Sequence, residues 1–347
     1  MSMNKFSTIN YLIKFAIFIP FVVSQSTLLN LGTGGTHERR VCTEETPCNF
    51  RLVADLDLKS KPGSGEKNYK SFFQKGSIIQ DQKGNYLVNW GEKLELKSGY
   101  NEYGRGMELS ELISFNGMML AGDDRTGIIF EITDDGKGVS PRYILSEGNG
   151  RTGKGMKIEW LAVRDGVLWV GSFGKEFVSN GIIEKRDNMW VATIDKRGYI
   201  SRYNWSFVYE KIRNSLGAQY PGYCIHEAVI WSHLMRKWIF LPRRVSFDEY
   251  DEEKDEKRGS NKMIILTDDF EIFEVIDVGL IIPERGFSSL KFLPGSFDQI
   301  IVATKSVEES ISDTQKSFIT IFTINGKVLL EDLEVPGDYK YEGIEFV

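Results

Sequence analysis

The sequence predicts an all-β fold, and more narrowly a five-bladed β-propeller. From Leu52 onward, short apolar segments rich in branched side chains alternate with polar turns, as strands do. One hairpin-like unit recurs at intervals of roughly 50 to 70 residues, which is the spacing of propeller blades. The chain also carries 34 glycines in 347 residues, as a turn-rich protein requires. A β-sandwich whose hairpins resemble one another by accident is the alternative.

The recurring unit opens with Glu or Ser, enters an apolar strand, turns and returns on a second apolar strand. Its four complete copies are ELSELISFNGMMLAGDD, KIEWLAVRDGVLWVGSF, IHEAVIWSHLMRKWIFLPRR and FSSLKFLPGSFDQIIVATK. The fifth copy is only YEGIEFV, so it supplies one inner strand. The other strands of that blade must then come from residues near 51–95, which closes the ring and removes an open sheet edge.

Two segments between the units depart from this pattern. Residues 205–217, WSFVYEKIRNSLG, are predicted to form an inserted helix. Residues 247–259, FDEYDEEKDEKRG, carry charges of both signs and are predicted to be a solvated loop.

The N-terminus has the pattern of a secretory signal peptide, assigned to residues 1–24. Lys5 and Lys14 precede the apolar run FAIFIPFVVS, and small residues precede Gln25. The run is about ten residues, whereas a membrane span needs about 20. We therefore expect a secreted or secretory-lumen protein with no membrane span after cleavage; an uncleaved anchor is the alternative. Residues 25–50 are predicted to be a polar tail, and residues 51–347 the propeller domain.

Cysteines and one sequon suit an oxidising, secretory location. Cys42 and Cys48 are spaced to close a small disulfide loop, and Cys224 is left over as a buried thiol. Asn204-Trp205-Ser206 is the one glycosylation sequon, as in a secreted glycoprotein.

Composition excludes two classes of function. The net charge of −6 and the pI of about 5.4 argue against a nucleic-acid partner, because such proteins usually carry a basic domain or stripe. Three His and three Cys are too few for a probable zinc or iron–sulfur site.

The first residues of the five units predict a metal site. Inner strands of a propeller line its central channel, so residues at equivalent positions form a ring around the axis. Three carboxylates converging on one axis repel one another unless a cation neutralises them. A wide ring of carboxylate and hydroxyl oxygens suits calcium better than magnesium. The predicted Ca²⁺ ligands are Ser110, Glu159, Glu227, Ser288 and Glu342.

Basic and glycine-containing segments near the same strand ends predict phosphate binding. GDDRTG, GRG, GKGMK and LPRR combine glycines, which let backbone approach a ligand, with cations that hold phosphate oxygens. With nearby aspartates to orient or deprotonate water, these features predict a phosphohydrolase. The candidate phosphate contacts are Arg105, Arg125, Lys157, Arg243 and Arg244.

The chain resembles the calcium-activated nucleotidases, the apyrase family, from about Leu52 to its last residue. The segments that carry the resemblance are GRGMELSELISFNG, GDDRTG, KIEWLAV, GKE, PGYCIHEAVIWS, LPRR, FSSLKFLP, DQIIVATKS and KYEGIEFV. The resemblance implies a five-bladed propeller with calcium in its central tunnel. It also implies hydrolysis of nucleoside di- and triphosphates to the monophosphate. The implied calcium ligands are the five first residues named above.

The resemblance further implies acidic active-site residues at Asp55 of VADLD and Asp124 of GDDR, with Asp55 favoured as the base. Two positions depart from the family pattern. Relatives carry Asp where this chain has Glu111, so a role for this position is not carried over from the resemblance. Vertebrate members carry Glu near Met189, so we expect the loss of a carboxylate beside the nucleotide, which should ease nucleotide binding.

Three questions stay open at this point. A non-catalytic calcium-binding propeller that recognises a ligand or protein is the alternative function. A luminal diphosphatase and an extracellular apyrase are both compatible with the resemblance. A homodimer is compatible with the sequence, as is a monomer.

Overall fold

The computed structural model describes residues 42–179, 181–309 and 314–347, all within the compact unit Arg40–Val347. The predicted signal peptide and residues 25–41 of the predicted tail lie outside the described residues. Among the described residues, no helix is both long and apolar enough to cross a membrane. The predicted disulfide between Cys42 and Cys48 is confirmed. The first strand already begins at Cys48, three residues before the predicted start of the propeller domain.

Five four-stranded antiparallel sheets make up the architecture, which confirms the predicted five-bladed propeller. The first three strands are β1 (Cys48–Asp55), β2 (Tyr69–Gln80) and β3 (Tyr86–Ser98). Blade 1 consists of β4 (Leu109–Phe115), β5 (Met118–Asp123), β6 (Ile128–Thr133) and β7 (Gly138–Ile144). Blade 2 contains β8 (Trp160–Arg164), β9 (Val167–Gly171), β12 (Trp190–Ile194) and β13 (Ile200–Asn204), and the hairpin of β10 (Phe177–Ser179) and β11 (Ile182–Lys185) is inserted after β9.

Two further blades and the closing strand complete the ring. Blade 3 consists of β14 (Tyr223–Ser232), β15 (Lys237–Ser246), β16 (Lys262–Leu266) and β17 (Ile272–Asp277). Blade 4 consists of β18 (Gly286–Phe292), β19 (Ile300–Glu309), β20 (Thr314–Thr323) and β21 (Val328–Glu334). The last strand, β22 (Lys340–Phe346), pairs with β1 and forms the closing blade with β1, β2 and β3, as predicted.

The inner strands form a ring in the order β22, β4, β8, β14, β18 and back to β22, each contacting the inner strands of its two neighbours. They are mostly buried on both faces, and their buried residues include Ser and Glu in β4 and Ser and Lys in β18 as well as apolar residues. The outermost strands are more exposed; β17, for example, has no buried residue. Hydrophobic clusters fill the space between the blades.

Within residues 42–347, as far as they are described, helical structure is limited to short insertions. The helix α1 (Ser206–Ser215) confirms the predicted insertion, and it buries Val208, Tyr209 and Ile212 against blades 2 and 3. The helix α2 (Glu252–Asp255) has only four residues and lies in the segment predicted to be a solvated loop. Two 3₁₀ turns cover Asp57–Ser60 and Asp187–Met189.

Candidate active site

The five predicted ring residues occupy structurally equivalent positions near the starts of the inner strands. In blade 1, Leu109 pairs with Asp123 and Glu111 pairs with Gly122, so Ser110 has no partner on β5. This extra residue makes a β-bulge, which re-aims a side chain and is common beside active sites. Corresponding interruptions of the strand register leave one residue unpaired in three other inner strands: Glu227, Ser288 and Glu342.

The fifth ring residue, Glu159, directly precedes β8. Its N–H donates to the Gly171 carbonyl oxygen at 2.9 Å, although Gly171 is also the partner of Trp160. A repeated irregularity of the backbone thus coincides with the repeated Glu or Ser. We regard the bulges as the reason that the five side chains do not follow the usual alternation of strand side chains between the two faces of the sheet.

The ring carboxyls are buried close to one another. Burial raises the pKa of Glu159 to about 7, opposed by Lys157 and reinforced by Glu227. Burial likewise raises the pKa of Glu227 to about 7; the Arg243 guanidinium opposes this shift and Glu342 reinforces it. The pKa of Glu342 is raised as well, by burial first and by Glu159 among its neighbours. Each carboxyl therefore disfavours ionisation of the next, which is the electrostatic signature of a converging acidic ring.

A cavity of about 400 Å³ opens over these three carboxyls. It is surrounded by strand ends from several blades and by the segment that contains α2. Its lining includes six of the seven residues predicted for catalysis or phosphate binding: Asp55, Asp124, Arg125, Lys157, Arg243 and Arg244. The ring serines, Ser110 and Ser288, are fully or almost fully buried and do not line the cavity.

Asp55 is the last residue of β1 and shares a lysine with other carboxylates. Its Oδ2 lies 2.7 Å from Lys340 Nζ, and its Oδ1 accepts the Asp57 N–H at 2.8 Å. The same ammonium lies 2.8 Å from Asp57 Oδ2, 3.4 Å from Glu308 Oε2 and 3.8 Å from Glu342 Oε1. Burial and the Asp57 carboxylate raise the pKa of Asp55 well above its usual value, and Lys340 only partly opposes them.

Asp124 follows β5 and has two cations of its own. Its Oδ2 lies 2.5 Å from Lys157 Nζ, and its Oδ1 lies 3.5 Å from Arg125 Nε. Burial acts to raise the pKa of Asp124, but Lys157 and Arg125 outweigh it and lower the pKa below its usual value. Lys157 also lies 2.5 Å from Glu159, and thereby links the aspartate to the ring.

Arg105 is the predicted phosphate contact that the structure does not bring into the cavity. Both its Nε and its Nη2 bind the carboxylate of Glu108, and Nη2 lies 3.5 Å from Asp57. Arg105 does not line the cavity. Glu108, three residues along the chain, gives Arg105 a buried partner outside the cavity lining, so a phosphate contact by Arg105 stays a prediction. Arg125 Nε also binds Glu108, at 2.9 Å, but Arg125 does line the cavity.

Arg243 and Arg244 are adjacent residues in β15 with different surroundings. Arg243 Nη1 lies 2.5 Å from both Glu227 Oε2 and Glu342 Oε1, so its charge is shared by two ring carboxylates. Arg244 has only a distant partner, Asp255, at 3.7 Å. Among the described residues, its buried Nε and Nη1 have no hydrogen-bond partner. Arg244 thus keeps unused donors beside the cavity.

Sequence reasoning missed several polar residues of this site, among them Asp57, Glu308 and Lys340. Lys340 could have been recognised from the sequence, because Lys340-Tyr341-Glu342 repeats the Lys-x-Glu pattern of residues 157–159. Residues two apart in a strand share a face, so a lysine two residues before a ring glutamate belongs beside it. Glu308 lies near the end of β19, a second strand of its blade like β1, and could have been found from the repeat.

The segment predicted as a solvated loop, residues 247–259, forms part of the cavity wall. Tyr250 and residues of α2 line the cavity together with Phe173 and Phe177. Tyr250 packs edge-on against Tyr223, with ring centroids 5.5 Å apart. The prediction of a solvated loop is confirmed, since no residue of 247–259 is buried, and the position of this loop beside the cavity is what the sequence did not predict.

Two residues that the sequence placed near the ligand lie elsewhere. Met189 is fully buried in a hydrophobic cluster with Trp205 and other aromatic residues and does not line the cavity, so the expected change of charge beside the nucleotide is wrong. Glu111 is also fully buried; it accepts the Ser289 hydroxyl and lies 3.2 Å from Lys291 Nζ. Glu111 does not line the cavity either.

The donor set of the ring fits a hard cation. The buried Ser110 Oγ has no hydrogen-bond partner among the described residues, and the neighbouring carboxyls are held close despite their repulsion. Oxygen ligands of this kind are those that calcium prefers. A second acidic group, Asp55, Asp57 and Glu108, has carboxylate oxygens within 4.8 Å of one another. Its charges are already met by Lys340 and by arginines.

Comparisons with known proteins agree on one family. The family model described as Apyrase matches residues 56–347. The chain is 41% identical over 311 residues to soluble calcium-activated nucleotidase 1 of Rattus norvegicus, covering 88% of this chain and 76% of the relative. It is 38% identical over 349 residues to an apyrase of Cimex lectularius, covering 97% and 94%. It is 40% identical over 303 residues to apyrase apy-1 of Caenorhabditis elegans, covering 86% and 84%. The chain belongs to the apyrase family.

Proposed function

We propose that this protein is a calcium-dependent hydrolase of nucleoside di- and triphosphates that releases inorganic phosphate and leaves the monophosphate. One observation carries the proposal: a single cavity brings together two buried aspartates, several cations and an acidic ring that suits calcium. Relatives are named apyrases and a calcium-activated nucleotidase, which supports the same activity.

Phosphate binding is assigned to the cations that line the cavity. Arg244 has two unused buried donors, and Arg125 is about one-third exposed while its Nε binds Glu108, so both can donate N–H groups to phosphate oxygens. Lys157 is 29% exposed and can turn from Asp124 toward an anion. A planar guanidinium contacts two phosphate oxygens at once, which fixes the terminal phosphoryl group for attack.

Asp55 is assigned as the general base. Its raised pKa makes it a better proton acceptor than an ordinary aspartate, once it is ionised. Water held by Asp55 would attack the terminal phosphorus and pass a proton to Oδ2, while the P–O bond to the bridging oxygen breaks and the shortened nucleotide leaves with that oxygen. The cations would stabilise the charge that builds up on the phosphoryl oxygens. Asp124 stays ionised and holds Lys157 and Arg125 in place.

The ring residues Ser110, Glu159, Glu227, Ser288 and Glu342 would hold the calcium ion. When bound, the ion would polarise a phosphate oxygen and neutralise charge in the transition state. In this structure the Arg243 guanidinium supplies the positive charge between the carboxylates of Glu227 and Glu342. Two cations that share these carboxylates must compete, so Arg243 is expected to swing away from the ring as the metal site fills.

The aromatic wall is assigned to the base and ribose. Phe173, Phe177 and Tyr250 offer ring faces, and Ile225 and Val178 add apolar surface. Stacking on such surfaces tolerates any base, because every base has a π-face. We therefore expect a broad choice of nucleobase.

Secretion is part of the proposal. The predicted signal peptide and the disulfide between Cys42 and Cys48 both suit an oxidising compartment. An extracellular apyrase would accept ATP and ADP, whereas a luminal enzyme would favour UDP and GDP. A stable dimer or monomer is equally compatible with this site, which one chain provides in full.

The experiment is phosphate release from UDP, GDP, ADP and ATP by the chain from Gln25 onward, titrated with calcium and separately with magnesium. We expect release with calcium only. Glu159→Gln should retain the fold and raise the calcium concentration for half-maximal activity by about tenfold, since it removes one anionic ligand. Glu252→Gln is the matched control, because Glu252 lines the cavity outside the ring.

No phosphate release by folded protein with either metal would reject the proposal. Binding of calcium without turnover would instead favour the non-catalytic propeller. An unchanged calcium requirement in Glu159→Gln would remove the ring from the metal site.

A further inference from the structure

A second cavity, of about 550 Å³, lies away from the active site on the outer side of blade 2. It shares no lining residue with the active-site cavity. Five of its ten lining residues are aromatic, and we call it the aromatic pocket: Trp169, Tyr203, Trp205, Phe207 and Phe270. Tyr203 and Phe207 are about half exposed, so two large rings stay in solvent that a packed core would have covered.

The aromatic side chains form a continuous surface. Trp169 and Tyr203 stack with an interplanar angle of 21° and ring centroids 6.0 Å apart. Trp205 contacts Phe270 at 5.0 Å, and Phe270 contacts Phe207 at 5.9 Å. Large exposed apolar surfaces commonly mark a place where something binds.

Charged groups border the aromatic faces. Asp165 and Asp268 also line the pocket, and their side chains are about half exposed. Arg164 binds Asp268 and rests its guanidinium 5.7 Å from the Trp169 ring. Arg236 also pairs with both Asp165 and Asp268, so each carboxylate already has two arginine partners. A ligand for this pocket therefore needs mainly an apolar face for the rings and a polar edge that stays in water. A pyranose ring, with C–H bonds on its faces and hydroxyls on its edge, meets this requirement.

A site for attaching such a sugar lies in the pocket wall itself. Asn204 lines the pocket, is exposed, and is the asparagine of the sequon Asn204-Trp205-Ser206. It ends β13, the outermost strand of blade 2, so no further strand covers it. Asn204 Oδ1 accepts the Ser206 N–H at 2.9 Å, so the bond uses the amide oxygen and not the nitrogen that carries a glycan.

We propose that Asn204 is N-glycosylated and that the first sugars of its glycan pack in the aromatic pocket. Attachment at the wall raises the effective concentration of the sugar at the pocket, so weak stacking suffices to hold it. The glycan then covers rings that are otherwise exposed to water. The proposal requires entry into the secretory pathway, which residues 1–24 are predicted to direct, but it does not depend on catalysis.

The test uses the full chain secreted from a eukaryotic host. Peptide mass spectrometry after enzymatic deglycosylation should find Asn204 modified, and Ser206→Ala should abolish the modification. Removing the glycan from the folded protein should lower its melting temperature by about 2 °C. In Tyr203→Ala, which deletes one stacking ring, the same removal should cause no shift.

A matched control separates packing from a general effect of glycans. Asn204→Gln with Lys327→Thr moves the sequon to Asn325, an exposed turn residue between β20 and β21 in blade 4. Deglycosylation of this variant should leave the melting temperature unchanged. Phosphate release should be equal in all these variants, so failure of the proposed enzyme activity would be seen separately.

Two results would overturn the proposal. One is secreted, folded protein in which Asn204 is unmodified. The other is a glycan at Asn204 whose removal shifts the melting temperature equally in the Tyr203→Ala variant and in the parent chain.

Discussion

Asp55 and Asp124 occupy equivalent places in neighbouring blades but have opposite electrostatic surroundings. Each lies at the end of the second strand of its blade, and each contacts the lysine of a Lys-x-Glu segment. Lys340, beside Asp55, is shared by four carboxylates. Asp124, in contrast, has both Lys157 and Arg125 within 3.5 Å.

The number of cations per carboxylate explains the difference in pKa. Burial is nearly complete for both aspartates, at 2% and 3% exposed, so desolvation does not distinguish them. The pKa of Asp55 is raised, whereas the pKa of Asp124 is lowered. Two carboxyls whose pKa values are pushed apart can take different roles. The repeat supplies one geometry twice, and the different neighbouring charges support the proposed roles of proton transfer for Asp55 and cation anchoring for Asp124.

Removing Lys340 should have the largest effect. Lys340→Met leaves four carboxylates without their shared cation, and we expect a loss of about 3–5 kcal/mol in the free energy of unfolding. Chemical denaturation in calcium-free buffer measures this. Lys175→Met is the control, because Lys175 lines the same cavity but rests on the Tyr250 ring, 4.3 Å from its centroid. Equal losses in the two variants would mean that Lys340 is not a special counter-ion.

Replacing each aspartate should separate the two roles. Asp55→Asn should lower kcat by about 10³-fold, since a general base contributes about 10²–10⁴-fold. Asp124→Asn should lower kcat less and also raise KM, because Lys157 and Arg125 lose the group that positions them. Steady-state kinetics at saturating calcium measures both, with calcium binding checked separately. A larger loss of kcat in Asp124→Asn would reverse the assignment.

The buried His226 should add a separate acid sensitivity that can be removed. Its ring lies between Tyr209 and Phe240, and burial lowers the pKa to about 3. The folded state holds the neutral form, so the unfolded state binds more protons between pH 6.5 and pH 3 and stability falls as the pH drops through that window. At pH 5 this costs about 2 kcal/mol. His226→Leu should recover it.

Melting temperatures at pH 5 and pH 7.5 test this prediction, with His233→Leu as a control at an exposed position. The prediction would be contradicted if His226→Leu raised the melting temperature at pH 5 by no more than it does at pH 7.5. The remaining pH dependence would then belong to the carboxyls of the ring and the cavity.

Competition between Arg243 and calcium should appear as tighter metal binding in Arg243→Met. Without the guanidinium, the Glu227 and Glu342 carboxylates are free for the metal, and we expect the Kd for calcium to fall by about tenfold. Titration calorimetry measures it on inactive, nucleotide-free protein. Arg244→Met is the control, because Arg244 does not contact the ring carboxylates within 4 Å in the described structure. Weaker binding in Arg243→Met would show that the arginine supports the ring.

The smallest expected effect is a shift of the pH profile. Asp55 must be ionised to accept a proton, so kcat/KM should fall as the pH drops through its raised pKa. Asp57→Asn removes the negative charge that raises the pKa of Asp55. It also removes one of the carboxylates that share the Lys340 ammonium with Asp55. The acid limb should move to lower pH by about half a unit, from a charge interaction of less than about 1 kcal/mol. A shift to higher pH would contradict the assignment of the base.

The repeated unit is the feature of this molecule that the sequence predicts best. Ser110, Glu159, Glu227, Ser288 and Glu342 were found because each begins a recognisable apolar unit. The bulges that separate these residues from ordinary strand pairing were not foreseen, since pairing register depends on the neighbouring strand. Arg105 and Met189 could not be placed from the sequence for the same kind of reason: a buried ion partner and a tryptophan-rich core are tertiary features. Lys340 was within reach, through the alternation of strand faces.

The closing blade sets the order of events during synthesis. β1 emerges from the ribosome early, whereas its partner β22 carries Lys340 and Glu342 and is made almost 300 residues later. Until then β1 has an unpaired edge, which is a hazard for misassociation and a natural target for chaperones. Asp55 also stays without its counter-ion during that time. With Asp55 as the proposed base, a nascent chain would not hydrolyse nucleotides, and activity would report that the ring has closed.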